Sequence, residues 1–380
     1  MSRDKSLVVT HVHANNINIG DEAINYSLYR LLDEYNPAFM DVTNYTDGYQ
    51  GIIAKCNDCS LLKCFGMIRQ SDLVVFGPGD VITDWSFTYK CMAMAVLLGK
   101  PFACIGVGVN FTKVAQFKRL ILKQILKCCQ LFIMRDKKSY DLLGAFGIPR
   151  ERLKLSSDIF FTNVQGHTFE SVTPESPYIV LSLRSMEFNS KTWSDACYEE
   201  IARSINYLVD KYGFDVKLLP MLSAKRNSVR PNMLPADDQF LLEIRRRAKD
   251  KERFILMTDV DSYQQAMEII GNAKFVIATR LHTMIMATCG SVPFIGLSYS
   301  IKTDSYCIDN GLQDFIVDIE CFKQEQINSI ADKIMNDYEN TKQKFWKVYR
   351  KNQDLSSVYA EELRSLLSFR VAYAEPINRV

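Results

Sequence analysis

From Leu7 to Gly296 the chain alternates short β-rich apolar runs with longer stretches of helical spacing, and this alternation narrows its fold more than any other feature. It is the signature of βα units packed around parallel sheets. In the first half the strand candidates are Leu7 to Val12, Leu73 to Phe76, Phe102 to Val107 and Leu131 to Met134. Helical patterns run from Asp21 to Tyr35, Tyr89 to Leu98, Lys113 to Cys129 and Lys137 to Phe146, the last closed by Gly147 and Pro149.

A polar stretch from Gln165 to Pro177 interrupts the pattern with Gly166, Pro174 and Pro177 and reads as a linker. Strand candidates then resume at Tyr178 to Leu183, Val216 to Leu219, Phe254 to Met257, Phe275 to Ala278 and Pro293 to Gly296. After Glu325 a helical pattern continues to the end, carrying Phe345, Trp346 and Tyr349. The expected division is an α/β domain over 1–164, a second of the same architecture over 178–324 and a helical segment over 325–380. A length of 380 residues allows each half a core of its own, at a prior of about 150 residues per domain. A cleft between the two domains is the default place to look for function.

Charge excludes some functions. Forty-six Lys and Arg stand against 44 Asp and Glu, so a generally cationic nucleic-acid binder is not expected, although a local cationic pocket is allowed. The first residues lack the pattern of a secretory signal, and no run reaches the roughly 18 apolar residues of a membrane span. Eleven scattered cysteines suit reduced thiols in a cytoplasm. Cys56, Cys59 and Cys64 cluster, but no fourth soft ligand follows at zinc-knuckle spacing, so no metal is expected.

In open α/β sheets, ligands bind beyond the carboxyl ends of strands. After the first strand candidate come Asn18, Gly20, Asp21 and Glu22, whose carboxylates read either as site groups or as partners of the next helix's free N–H groups. After Leu73 to Phe76 comes Gly77-Pro78-Gly79-Asp80, a tight turn able to bring backbone near a ligand, with one N–H donor removed by Pro78. Arg280-Leu281-His282 follows Phe275 to Ala278, Lys302 follows Pro293 to Gly296, and Arg184 follows Tyr178 to Leu183. Three cations and a histidine on one sheet rim suit an anionic substrate; the alternative pairs Arg280 with an acidic neighbour and makes His282 a helix cap.

These residues carry a family resemblance. Asn18-Ile19-Gly20-Asp21-Glu22-Ala23-Ile24 resembles the opening motif of the polysaccharide pyruvyltransferase family. Arg135-Asp136 with Ser139, and then Ser157-Asp158, look like its middle motifs; Arg280-Leu281-His282 through Gly290, Pro293, Tyr299 and Lys302 looks like its most specific block. Asn15, Asn16 and Ile17 stand where the family usually has glycines, and Ile159 where a proline often follows the middle Asp. The resemblance implies a GT-B-like fold, two Rossmann-like domains facing a cleft with a helical segment after them. It also implies transfer of an enolpyruvyl-derived group from phosphoenolpyruvate to a sugar of a cell-surface glycan or its undecaprenyl-diphosphate-linked precursor, in the cytoplasm and with no cofactor.

On that reading His282 is the general acid, and Asp21 or Glu22 orients or deprotonates the sugar hydroxyl. Arg184, Arg280, Leu281 and Lys302 hold the donor. Asn18, Gly20, Gly77, Gly79 and Asp80 line the acceptor side. The rivals are a GT-B nucleotide-sugar glycosyltransferase and a non-catalytic glycan-binding relative; no Glu of the second half has another eight positions away, a spacing the first rival often uses. If the acceptor is lipid-linked, the segment from Lys342 to Lys351 offers cations and aromatics for peripheral contact with the inner membrane leaflet, unless its aromatics pack on the core.

Overall fold

The computed structural model describes residues 9–13, 18–33, 38–41, 53–55, 61–82, 87–109, 116–163, 176–184, 194–224, 236–320 and 322–373. The chain divides into two compact units. The first comprises Met1–Asn16, Ala23–Gln165 and Asn352–Val380; the second comprises Ile17–Glu22 and Gly166–Lys351.

The first unit is built on an eight-stranded parallel sheet. Its strands are β1 (Val9–His13), β2 (Ala38–Asp41), β3 (Ile53–Lys55), β4 (Leu73–Phe76), β5 (Gly79–Ile82), β6 (Phe102–Val109), β7 (Leu131–Met134) and β8 (Leu153–Leu155). They lie in the order β3-β2-β1-β4-β6-β7-β8, with β5 beside β6. The chain thus builds outward from β1, returns beside it at β4 and builds outward the other way, the doubly wound arrangement. Register pairs Val12 with Phe76 and Phe76 with Cys104. The helices are α1 (Ile19–Leu32), α2 (Leu61–Gln70), α3 (Phe87–Leu97), α4 (Gln116–Lys127) and α5 (Lys137–Ala145). All four residues of β4 and of β7 are buried, as expected for strands covered on both faces. One core joins Phe76, Phe102 and Phe132 of the sheet to Ile68 of α2, Met92 of α3 and Leu126 of α4.

The second unit repeats the plan with six parallel strands in the order β11-β10-β9-β12-β13-β14. These are β9 (Tyr178–Ser182), β10 (Asp215–Leu218), β11 (Phe254–Leu256), β12 (Val276–Ala278), β13 (Phe294–Ser298) and β14 (Ile316–Asp318). The helices are α6 (Asp195–Tyr212), α7 (Asp237–Arg247), α8 (Tyr263–Gly271), α9 (Leu281–Cys289), α10 (Ile301–Asn310), α11 (Gln324–Asn336) and the start of α12 (Tyr338–Tyr373), whose residues from Asn352 on belong to the first unit. Local signals account for α6: Ser194 caps it by accepting from Cys197 N, and Gly213 ends it in the left-handed region at φ 71°. Its buried Ile201, Ile205 and Leu208 share a core with Leu241 of α7 and Ile327 of α11. By contrast α9 is buried continuously from Thr283 to Cys289, which is why its sequence is apolar on every side.

The strands β4 and β7 coincide with their sequence candidates, and β9, β10, β11, β12 and β13 fall within two residues of theirs. The structure adds β2, β3, β5, β8, β14 and α2, which the alternation did not reveal. Most are pieces of three or four residues at a sheet margin, too short for a period to register. In the second unit Phe345 of α12 is buried edge-on against Phe294 and Phe315, at ring-centroid distances of 5.1 and 5.2 Å. In the first unit Tyr359 of α12 is fully buried and donates to Ser157 O at 2.7 Å, while Ser157 Oγ donates to Asn352 O at 2.7 Å. Among the described residues no helix is long and apolar enough to cross a membrane.

Candidate functional site

At the carboxyl edge of the second sheet, Ser182, Ala278 and Gly296 stand in register across β9, β12 and β13. The next residue, Thr279, is fully buried; its N–H donates to Ser182 O at 3.0 Å and its Oγ1 accepts from Arg184 N at 2.9 Å. This fixes Arg184 just beyond β9. Its Nη1 donates to the Tyr299 hydroxyl at 2.6 Å, and its guanidinium lies over the Tyr299 ring, 5.1 Å from the centroid. Lys302 is exposed in the first turn of α10.

Arg280 immediately precedes α9 and makes no capping bond. Its fork is bidentate to Asp237 of α7, with Nε to Oδ2 at 2.7 Å and Nη2 to Oδ1 at 2.6 Å. Asp237 is fully buried, and it also accepts from Leu222 N at 2.9 Å and donates its own N–H to Leu222 O at 2.8 Å. Burial works against the charge on Arg280, but Asp237 outweighs it, with smaller contributions from Tyr299 and Asp21, so the guanidinium pKa is raised.

The amino-terminal motif packs within this same unit. Ile19 N donates to Met221 O at 2.9 Å, which ties the start of α1 to the loop beyond β10. Gly20 lies against His282, and a β-carbon there would stand 2.5 Å from its Nδ1 and 2.6 Å from its Cβ. The glycine of the motif is therefore a close approach to the histidine. Asn18 Oδ1 accepts from Asp21 N at 2.9 Å, its Nδ2 donates to the Asp21 carboxylate, and its carbonyl accepts from Glu22 N at 3.1 Å. Asn18 thus caps α1, while Asp21 and Glu22 are half-buried in the first turn.

A second cluster lies in the first unit. Arg135, only 7% exposed, is paired with Asp80 and stands 3.8 Å from the Asp136 carboxylate and 4.0 Å from that of Asp158. Burial opposes its charge, but Asp80, Asp158 and Asp136 together raise its pKa. Asp136 caps α5, accepting from Ser139 N at 2.7 Å and Ser139 Oγ at 2.9 Å, and Ser139 Oγ in turn accepts from Val109 N. The turn of Gly77 to Asp80 has a structural explanation of its own. At Gly77, φ 118°, a β-carbon would collide with the Ile105 carbonyl; Gly79, φ 98°, opens β5; and Asp80 is held by Arg135. A β-carbon on Gly108 would meet that ion pair at 2.8 Å from Asp80 Oδ1.

Asn18, Gly20, Asp21, Glu22, Arg184, Arg280, Leu281, His282 and Lys302 therefore all belong to the second unit, and Gly77, Gly79 and Asp80 to the first. Sequence reasoning missed Asp237, which reads merely as a first-turn acid of its helix, and gave Tyr299 and Asp158 no partners. Cys56 and Cys59 lie outside the described residues, and Cys64 is a buried free thiol. No group of three His, Cys, Asp or Glu among the described residues could hold a metal ion. In the segment from Lys342 to Lys351, Phe345 and Val348 are buried, whereas Trp346 is 45% exposed.

The two units define a GT-B-like fold, shared with solved UDP-GlcNAc 2-epimerases. The Neisseria meningitidis enzyme, bound to UDP-GlcNAc, has a TM-score of 0.62 at 12% identity over 94% of this chain and 100% of its own. The Methanocaldococcus jannaschii enzyme gives 0.61 at 14% identity over 96% of this chain and 100% of its own. No curated protein matches this chain in sequence. Residues 18–301 match the family model of the polysaccharide pyruvyl transferases, and the chain belongs to that family.

Proposed function

We propose that this transferase moves the three-carbon unit of phosphoenolpyruvate onto two hydroxyls of one sugar, in a cell-surface polysaccharide or its lipid-linked precursor, closing a cyclic pyruvate ketal. The observation that carries this reading is the second unit's rim, where Arg184, Arg280, His282 and Lys302 follow three adjacent strands and the motif of Asn18 to Glu22 packs against the histidine. Fixed cations suit a small dianion or trianion, and a histidine can deliver a proton near neutral pH.

In the proposed reaction His282 protonates the terminal methylene carbon, leaving the adjacent carbon cationic. A sugar hydroxyl attacks that carbon and loses its proton to Asp21 or Glu22. The bond to phosphate then breaks, its electron pair leaving with the phosphate. The second hydroxyl attacks the same carbon and loses its proton in turn. Of the two hydroxyl protons, one replaces that given to carbon and the other leaves on phosphate. Arg184 and Lys302 hold the donor's charged ends. Arg280, with Nε and Nη2 committed to Asp237, offers Nη1, and Leu281 offers the backbone N–H that opens α9. Asn18 serves the acceptor, with Gly20 shaping the backbone around it. Buried thiols such as Cys91 and Cys104 suit a reducing compartment, and the reading places the enzyme in the cytoplasm.

The test is incubation with phosphoenolpyruvate and candidate glycan precursors, following phosphate release and the mass of the acceptor. Stoichiometric phosphate and ketal product are expected. Failure across acceptors, with turnover of a nucleotide sugar instead, would replace this reading with glycosyl transfer.

A further inference from the structure

Three helices of the first unit carry a surface that the proposed chemistry does not use. α2, α3 and α4 pack side by side, and their inward residues enter one core on one face of the sheet. Helical spacing then fixes what faces outward. In α4 the buried Leu122, Ile125 and Leu126 are backed by Phe117, Leu120 and Ile121 on the solvent side, so this helix is apolar on two faces. Leu62 is 82% exposed, Leu97 85%, Phe117 73% and Leu120 65%. These are the four most exposed large hydrophobic side chains among the described residues, and all lie on these three helices.

Charge is distributed as unevenly. The sequences of α2, α3 and α4 contain two, one and four Lys or Arg, and none contains Asp or Glu. The whole chain carries a net charge of only +2, so the remainder is net acidic. Apolar and cationic side chains intermixed on helices whose own sequences hold no carboxylate match the boundary between headgroups and acyl chains of an anionic bilayer. A second copy of the chain fits poorly, since a two-fold contact would set this cationic face against itself.

We propose that the outward face of α2, α3 and α4 docks on an anionic lipid surface. This docking does not draw on the basic aromatic stretch of α12, where Phe345 is buried in the core. The docking does not depend on the identity of the donor or acceptor, although it would bring the chain to a lipid-linked substrate.

The full chain would be sedimented with vesicles of phosphatidylcholine containing about a third phosphatidylglycerol, and with phosphatidylcholine alone. Binding to the anionic vesicles only, weakened by salt, is expected. Phe117→Ser with Leu120→Ser, and separately Lys118→Gln with Lys127→Gln, should each lower the partition coefficient about tenfold, while Trp346→Ser with Lys347→Gln leaves it unchanged. Circular dichroism checks each fold; should the serine pair unfold, the glutamine pair decides. No sedimentation with anionic vesicles, undiminished binding of the folded face variants, or loss confined to the α12 variant would overturn the proposal. So would a dimer in light scattering that the serine pair dissociates while vesicle binding is absent.

Discussion

Residue 20 has no β-carbon, and His282 occupies the space where one would be. Gly20→Ala is therefore expected to move the imidazole. If His282 is the general acid, both Gly20→Ala and His282→Asn should lower turnover, the latter by roughly 10² to 10⁴, while donor affinity is largely kept. Turnover and donor binding measured on folded variants check this, and near-native turnover of His282→Asn would return the histidine to a structural role. Arg280 raises a different question, because it serves Asp237 whatever else it does. Arg280→Ala should destabilise the fold by about 3 to 5 kcal/mol by stranding a buried carboxylate, and Asp237→Asn should be costly for the same reason in reverse. In denaturant unfolding the double variant should lose less than the two single losses combined. Additive losses would show that the two residues act independently.

At the scale of elements, α6 and α11 are joined by a polar tie at their surface as well as by their shared core. Asp332 of α11 accepts from Tyr207 and Tyr212 hydroxyls, each at 2.7 Å, and pairs with Lys211 at 2.9 Å. Burial works against its charge, but the hydrogen bonds from Lys211, Tyr212 and Tyr207 prevail and hold its pKa below the ordinary carboxylate value. A carboxyl depressed on folding adds stability above its unfolded pKa and loses it as pH falls through the folded one. Asp332→Asn should therefore flatten the stability profile below the ordinary carboxylate range and lower stability at neutral pH; an unchanged acid limb in thermal melts would show the tie to be inert. Elements also explain what the sequence hid. β8 is Leu153-Lys154-Leu155 and β14 is Ile316-Val317-Asp318, lengths at which strand, turn and helix end look alike.

At the scale of the whole molecule, two units have separate cores, and the family match over residues 18–301 draws on both. The charges that the proposed reaction needs come from arginine, lysine and histidine. Activity should accordingly survive a strong chelator, and loss of turnover restored by one divalent ion would show that the mechanism lacks a component.

The sequence alone determined the α/β class, the parallel strands at the centre of each sheet and the placing of Arg184, Arg280 and Lys302 just after strands. Each of these is written locally, in a run of buried residues and the turn that ends it. Only the tertiary structure decided that Arg280 binds Asp237, 43 positions earlier, that Arg184 lies on Tyr299, and that Arg135 gathers Asp80, Asp136 and Asp158. It also showed that Asn18 to Glu22 belong with the second unit and Tyr359 with the first. A side chain's partner depends on which strand ends the sheet order brings side by side. That order is set by crossovers and packing over tens of residues, and no local period records it.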